Sequence, residues 1–123
     1  MLRAIDRESA SHINFQPTAE IAVPITWFRE KGIEFYTDLD DLDQYEFAAF
    51  WLDGLSFALM HYMSSFDQSV SLLIGGIGGD RTNVAFHVSA IAEALGLSPS
   101  LFSWRENGEH VSFLPIGAAS ALA

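Results

Sequence analysis

The chain of 123 residues carries 16 Asp or Glu, 6 Lys or Arg and no cysteine, for a formal net charge of −10. Of its residues, 50% are hydrophobic and 13% are aromatic. This argues against a disordered chain and predicts a single domain, residues 1–123, with a core of its own. The lack of cysteine excludes a disulfide scaffold, a thiolate metal site and a cysteine nucleophile.

The first predicted elements are an arm and a helix. Residues 1–17 show no clear hydrophobic period, and we expect them to form an irregular arm. Charged residues near the start leave no apolar run for a secretory signal, which predicts a cytoplasmic protein. Residues 18–32 are expected to be helical in their second half, since Pro24 suits a first helical turn and Gly32 a left-handed C-terminal cap.

Four short runs rich in β-forming residues follow, and they predict an antiparallel meander. The runs span residues 33–37, 45–52, 55–63 and 70–75. Asp53-Gly54, between the second and third runs, is a strong signal for a two-residue hairpin turn. The two middle runs are apolar on both faces. We therefore expect helices or a second subunit to cover both sides of the sheet, which leaves room for a homodimer.

An amphipathic helix is predicted after the meander. Val84, Val88, Ile91 and Leu95 recur at helical spacing and form one apolar stripe. Gly96 follows the stripe directly, where a glycine can take the left-handed conformation that ends a helix.

The last predicted elements are a hairpin and a tail. Residues 101–106 and 109–114 are expected to pair around Asn107-Gly108, a sequence that favours a type I′ turn. Residues 116–123 are expected to form a loose tail. The whole order predicts an α+β fold. Its mainly antiparallel sheet comprises the four-strand meander and the C-terminal hairpin, and is packed by the N-terminal helix and the later amphipathic helix.

The negative charge is concentrated in one stretch of the chain. Residues 32–80 hold nine acids and no Lys or Arg, whereas the rest of the chain holds seven acids and six bases. A field of this sign repels phosphate, which argues against nucleic acid or an anionic membrane as a partner and favours a basic protein. The candidate contact residues are Glu34, Asp38, Asp40, Asp41, Asp43 and Glu46.

The motifs for phosphate, metal or nucleophile chemistry are incomplete. The glycine-rich loop at residues 75–79 is not followed by the lysine of a phosphate-binding loop, and Arg81 replaces the third glycine of a dinucleotide fingerprint. The aspartate-rich loop that starts at Asp38 has Asp43 and Ala49 where a calcium-binding loop needs glycine at its sixth and glutamate at its twelfth position. The four histidines share no ligand spacing. The sequence therefore favours a non-catalytic protein without a metal or a cofactor.

Two alternatives from other classes stay open. The first is a small-molecule-binding protein or enzyme with a pocket between sheet and helix, around Trp51, Tyr62 and His87. The second is a structural homodimer module that binds no ligand.

Several segments together resemble those of small acidic bacterial proteins of unknown function. They are Asp53-Gly-Leu-Ser-Phe-Ala-Leu-Met-His-Tyr62, the strand at 70–74, the helix at 82–95 and Leu101-Phe-Ser-Trp104. Some proteins of this size, acidity and α+β build are immunity proteins, which neutralise a toxin made by the same or a neighbouring cell. The resemblance implies that the chain binds a basic toxin. In that hypothesis the contact is the acidic loop at residues 38–43, with Glu34 and Glu46 beside it, and charge attraction speeds the encounter.

Overall fold

The structure is a computed structural model that describes residues 2–40, 43–64, 69–76, 84–106 and 109–112. These residues form one eight-stranded sheet and three α-helices. In chain order the elements are β1 (Leu2–Ile5), α1 (Arg7–Ala10), β2 (Phe15–Ile21), α2 (Ile25–Glu30), β3 (Tyr36–Leu39), β4 (Gln44–Leu52), β5 (Leu55–Tyr62), β6 (Val70–Gly75), α3 (Val84–Leu95), β7 (Phe102–Glu106) and β8 (Glu109–Ser112).

The α+β fold class is confirmed, and every strand pair in the sheet is antiparallel. The strand order is β1-β4-β5-β6-β2-β7-β8, and β3 pairs with the half of β4 that β1 leaves free. The predicted meander is present as β3 to β6. The predicted C-terminal hairpin is present as β7 and β8, and joins the sheet through β2.

The prediction of an irregular arm at residues 1–17 is wrong. β1 pairs with residues 49–52 of β4. α1 begins where the carboxylate of Asp6 accepts hydrogen bonds from the backbone N–H of Ser9, at 2.8 Å, and from the Ser9 hydroxyl, at 3.0 Å. Each of these elements is only four residues long, and a segment this short gives no readable hydrophobic period.

β2 is a central strand that the sequence pattern did not indicate. It pairs with β6 on one side and with β7 on the other. A bulge between Pro17 and Ala19 shifts its register, and the Thr18 hydroxyl donates a hydrogen bond to the Gln16 carbonyl at 2.9 Å. Because the bulge interrupts the two-residue alternation, the strand lacks the period that identifies a strand in a sequence.

Both predicted helices are confirmed. α2 starts directly after Pro24 and is followed by Gly32 with φ 90°. α3 covers the predicted apolar stripe, and Gly96 follows it with φ 74°. In the described ranges the longest α-helix has 12 residues, and no helix qualifies as a bilayer-spanning segment.

Several strand boundaries differ from the prediction by one to three residues. β3 starts at Tyr36, three residues later than expected. β7 starts at Phe102, because a short 3₁₀ turn occupies Pro99–Leu101. The predicted turn at residues 107–108 and the tail at 116–123 lie outside the described residues.

The sheet has two different faces. The helix face packs against α2 and α3 and contains the main core. Its fully buried side chains include Phe57, Leu59, Leu72 and Ile74 from the sheet, Phe28 from α2, and Val88 and Ile91 from α3. On the opposite face, which we call the open face, Ala10 of α1 packs with Ile5, Ala49, Ala58 and Leu73. Phe47, Trp51 and Met60 are only partly buried there.

Candidate functional site

The strands β3, β4 and β5 end together at one end of the sheet. The chain turns there from β3 into β4, and Asp40 N donates to the Asp43 carbonyl at 3.1 Å. Met63 N donates to the Gln44 carbonyl at 2.9 Å, which ties the end of β5 to the start of β4. We call this end of the sheet the acidic tip, defined by Asp38, Leu39, Asp40, Asp43, Tyr62 and Met63.

Two aspartates of the acidic tip connect the turn to β5. One carboxylate oxygen of Asp40 accepts from Asp43 N at 3.0 Å, and the other accepts from the Tyr62 hydroxyl at 2.5 Å. The Asp43 carboxylate accepts from Ser64 N at 2.8 Å. Both carboxylates are therefore held in fixed positions, although they lie at the protein surface.

The third aspartate of the tip interacts with α1. The Asp38 carboxylate accepts from Leu39 N at 2.9 Å and lies 3.0 Å from Nη2 of Arg7. The same guanidinium lies over the ring of Tyr36, with its Cζ 5.5 Å from the ring centroid. Arg7 thus contacts a carboxylate and an aromatic ring that β3 presents on the open face.

These contacts set the charge state of the tip. Hydrogen bonds from Ser64 lower the pKa of Asp43, and the hydrogen bond from Leu39 N together with the Arg7 guanidinium lowers the pKa of Asp38. The hydrogen bond to Asp40, with partial burial, raises the pKa of Tyr62 to about 12. At neutral pH these two carboxylates are charged and the phenol is neutral.

Two exposed apolar side chains lie at the same end of the sheet as the carboxylates. Leu39 is 65% exposed and Met63 is 49% exposed. The two residues flank Gln44, because Leu39 is its partner in β3 and Met63 donates to its carbonyl from the end of β5. Single exposed apolar residues are common on soluble proteins, but two on adjacent chain segments at a charged end of a sheet form a candidate contact surface.

A row of aromatic rings adjoins the acidic tip on the open face. Phe47 lies at its centre, with ring centroids 5.7 Å from Phe15, 5.5 Å from Tyr36 and 6.0 Å from Tyr45. The ring of Tyr62 lies 5.9 Å from that of Tyr45. We call these five residues the aromatic row. Mutual ring contacts at these distances stabilise the rings in one arrangement.

The structure brings only some of the predicted contact residues together. Asp38, Asp40 and Asp43 meet at the acidic tip. Glu46 instead forms an ion pair with Arg29 of α2. Among the remaining predicted contact residues, Glu34 is exposed and lines a cleft of about 540 Å³ between β1 and the segment that leads into β3, and Asp41 lies outside the described residues.

The three residues proposed for a small-molecule pocket are not brought together. Trp51 pairs with Ser56 and Tyr62 pairs with Tyr45, which places Trp51 and Tyr62 about 20 Å apart along the strands of the open face. His87 lies on α3, which packs against the helix face. Because the sheet lies between them, a pocket shared by all three residues is not formed. Nor do the described residues contain a group of three or more His, Cys, Asp or Glu placed to hold a metal ion.

Sequence reasoning missed two parts of this site. Arg7 lies in the segment that was interpreted as an irregular arm, so its contact with Asp38 was not foreseen. The sequence predicts that the two middle strands are apolar on both faces, but it does not indicate that Tyr45, Phe47 and Tyr62 form one row with rings of β2 and β3. The sequence matches no protein-family model, and no curated protein or solved structure matches it.

Proposed function

We propose that the protein is a non-catalytic binding module that binds a basic protein through the acidic tip. The observation that carries the proposal is that the exposed side chains of Leu39 and Met63 lie at the same end of the sheet as the carboxylates of Asp38, Asp40 and Asp43. Negative charge alone is a property of a solvated surface. Negative charge at the same end of the sheet as exposed apolar side chains is what a basic partner with an apolar contact would fit.

The two features have different roles in binding. Leu39 and Met63 lose their contact with water when a partner covers them, which favours a stable complex. The carboxylates and the net charge of −10 attract a basic protein over longer distances and repel acidic ones, which speeds the encounter and gives specificity. The neighbouring tyrosines add rigid side chains of a type that is enriched at interfaces.

The partner class that the resemblance to immunity proteins implies is a basic toxin. A toxin that acts on nucleic acid needs a positive surface for phosphate, and a rigid cluster of carboxylates competes for that surface. We propose this class of partner, and a cytoplasmic site of action, as the working assignment. Direct binding of nucleic acid by this chain is not part of the proposal, because the acidic tip repels phosphate.

The test compares exposed apolar residues at two places. The immobilised protein is incubated at low salt with lysate of the source cells, and a retained basic protein is identified, purified and titrated. We expect the double variant Leu39→Ser, Met63→Ser to raise its Kd at least about tenfold, which corresponds to about 1.4 kcal/mol. Phe86→Ser is the matched control, since Phe86 is 58% exposed but lies on α3, and it should bind as the wild type does.

A second pair of variants tests the charge. Asp40→Asn with Asp43→Asn removes two charges from the tip, whereas Asp53→Asn with Glu93→Gln removes two exposed charges elsewhere. Only the first pair should weaken binding, and added salt should weaken the wild-type complex. Retention of no basic protein, or equal binding by the tip variants and their controls, would contradict the proposal.

A further inference from the structure

A groove on the open face lies between α1 and the strands β3 and β4. It has a volume of about 510 Å³. Arg7 and Glu8 line it on the α1 side, and Tyr36, Asp38, Tyr45 and Phe47 line it on the sheet side. The groove therefore combines a wall of three aromatic rings with two carboxylates, and it adjoins the acidic tip through Asp38.

The chain itself shows which chemistry this groove accepts. The Arg7 guanidinium lies over the Tyr36 ring, 5.5 Å from its centroid, and 3.0 Å from the carboxylate of Asp38. A guanidinium is a weakly hydrated, planar cation that stacks on aromatic faces and donates hydrogen bonds to carboxylates. Arg7 makes both kinds of contact in this groove.

The residues that line the sheet side of the groove are held more firmly than the Arg7 side chain. Phe47 touches three other rings of the aromatic row, and the Asp38 carboxylate is oriented by the hydrogen bond from Leu39 N. The Arg7 side chain, in contrast, is 61% exposed. An ion pair this exposed is screened by water and restricts a long side chain, so it contributes little to stability and is readily exchanged.

We propose that this groove is the subsite for one arginine side chain of the basic partner, and that Arg7 is an internal occupant that the partner's guanidinium displaces. This inference rests on the proposed function, because it names the group that the partner would place next to the acidic tip. Exchange of one guanidinium for another keeps Asp38 neutralised and the Tyr36 ring covered. It also releases Arg7 to water, to which 61% of its side-chain surface is already exposed.

The experiment uses a small probe in place of the partner. N-acetyl-arginine amide is titrated into the full chain at low salt, and its binding is followed by the NMR signals of the Tyr36 and Tyr45 rings. Removal of the internal occupant by Arg7→Gln should lower the Kd of the probe about tenfold relative to the wild type. Lys31→Gln is the matched control, because it removes the same charge at an exposed cation that lies over the Trp27 ring, and it should leave the Kd unchanged.

Further variants test the two walls of the groove. Tyr36→Leu or Asp38→Asn in the Arg7→Gln background should abolish the gain, whereas Tyr36→Phe in the same background should retain it. N-acetyl-lysine amide should bind more weakly than the arginine probe, because an ammonium lacks the planar face.

The outcomes separate this inference from the proposed function. The inference is overturned if Arg7→Gln binds the probe no better than Lys31→Gln does. It is also overturned if the tighter binding of Arg7→Gln survives the addition of Tyr36→Leu or Asp38→Asn. Either result would stand even if binding of the basic partner still depends on Leu39 and Met63. If the probe behaves as expected but the partner binds independently of Leu39 and Met63, the guanidinium subsite stands and the proposed function fails.

Discussion

Gly75 shows how one missing side chain allows the N-terminal segment to pack on the open face. A Cβ atom at this position would lie 2.6 Å from Cγ2 of Ile13 and 3.3 Å from Cε1 of Phe15, and it would also collide with the Ser56 hydroxyl. Ile13 and Phe15 bring the chain from α1 into β2. We therefore expect Gly75→Ala to lower the free energy of unfolding by about 1–3 kcal/mol, through overpacking, as measured by urea denaturation.

Gly54 is the control for this prediction. It lies in the hairpin turn between β4 and β5, a Cβ atom there would meet no atom within 4 Å, and its φ is not positive. Gly54→Ala should change the free energy of unfolding by less than about 1 kcal/mol in either direction. Equal losses at Gly54 and Gly75 would show that the crowding around Gly75 is not the cause.

Tyr62 gives a prediction at alkaline pH. Its hydroxyl donates to Asp40, and this contact raises its pKa from 10.0 to about 12. Because the folded pKa lies above the unfolded one, the neutral phenol stabilises the fold at all pH values below 10.0, and this contribution is lost as the pH rises through about 12. At a pH midway between the two values, Tyr62 of the folded protein should therefore contribute only about a tenth of one tyrosinate to the absorbance, whereas a tyrosine with the ordinary pKa of 10.0 would contribute about nine tenths.

The contribution of Tyr62 is isolated by comparison with Tyr62→Phe. At that midway pH the absorbance of the two folded proteins should be nearly equal, whereas Asp40→Ala should show additional tyrosinate because its Tyr62 loses the carboxylate partner. A wild-type tyrosinate signal that exceeds that of Tyr62→Phe by most of one tyrosine would mean that Tyr62 ionises near its ordinary pKa.

At the scale of elements, the sequence predicted those whose patterns are local. β4 and β5 follow from two apolar runs around Asp53-Gly54, and α3 follows from a stripe at helical spacing. β2 could not be predicted in this way, because the bulge between Pro17 and Ala19 breaks the alternation of apolar and polar residues that identifies a strand. β1 and α1 are too short to show a period, and their positions depend on pairing and packing with distant parts of the chain.

The candidate site was predictable to the same extent. The cluster of Asp38, Asp40 and Asp43 is local in sequence, so its place at one turn was foreseen. The partners of these residues are not local: Tyr62 lies 22 residues beyond Asp40 and Ser64 lies 21 beyond Asp43. Contacts of this kind require the register of β4 with β5, which the hairpin turn suggests but the side-chain chemistry alone does not specify.

α1 provides the prediction at this scale. Ala10 is 4% exposed and packs α1 onto the open face. Ala10→Glu keeps a good helix former but forces a charge into an apolar contact, so we expect α1 and β1 to detach before the rest of the sheet unfolds. Hydrogen exchange should become faster in residues 2–13 while α3 stays protected.

Ala90→Glu is the matched control for α1, because Ala90 is exposed on α3 and the same charge can stay in water there. This variant should leave hydrogen exchange in residues 2–13 unchanged. Uniformly faster exchange across the molecule in Ala10→Glu would show that α1 and the sheet unfold as one unit, which contradicts the prediction of local detachment.

At the scale of the whole molecule, the charge has two opposite effects on stability as the pH falls. The net charge of −10 at pH 7 implies repulsion among carboxylates, and protonation on the way to the isoelectric point near 4.5 relieves it. Hydrogen bonds lower the pKa of Asp6, Asp38 and Asp43 below 3.8 in the folded chain. A carboxyl group with a depressed folded pKa stabilises the fold above its unfolded pKa, and its contribution is lost as the pH falls through the folded value.

These effects predict the form of the stability profile. As the pH is lowered from 7, the free energy of unfolding measured by urea denaturation should stay constant or increase until about the isoelectric point. Below pH 3.8 it should decrease. Added salt should reduce any increase in the free energy of unfolding, because it screens repulsion between exposed charges. It should affect the decrease below pH 3.8 less, because hydrogen bonds act at short range. Asp43→Asn should make the fall shallower, whereas Asp53→Asn, which removes the same charge from an exposed hairpin turn, should leave its slope unchanged. A fall that begins well above the isoelectric point would mean that groups other than these hydrogen-bonded aspartates control acid unfolding.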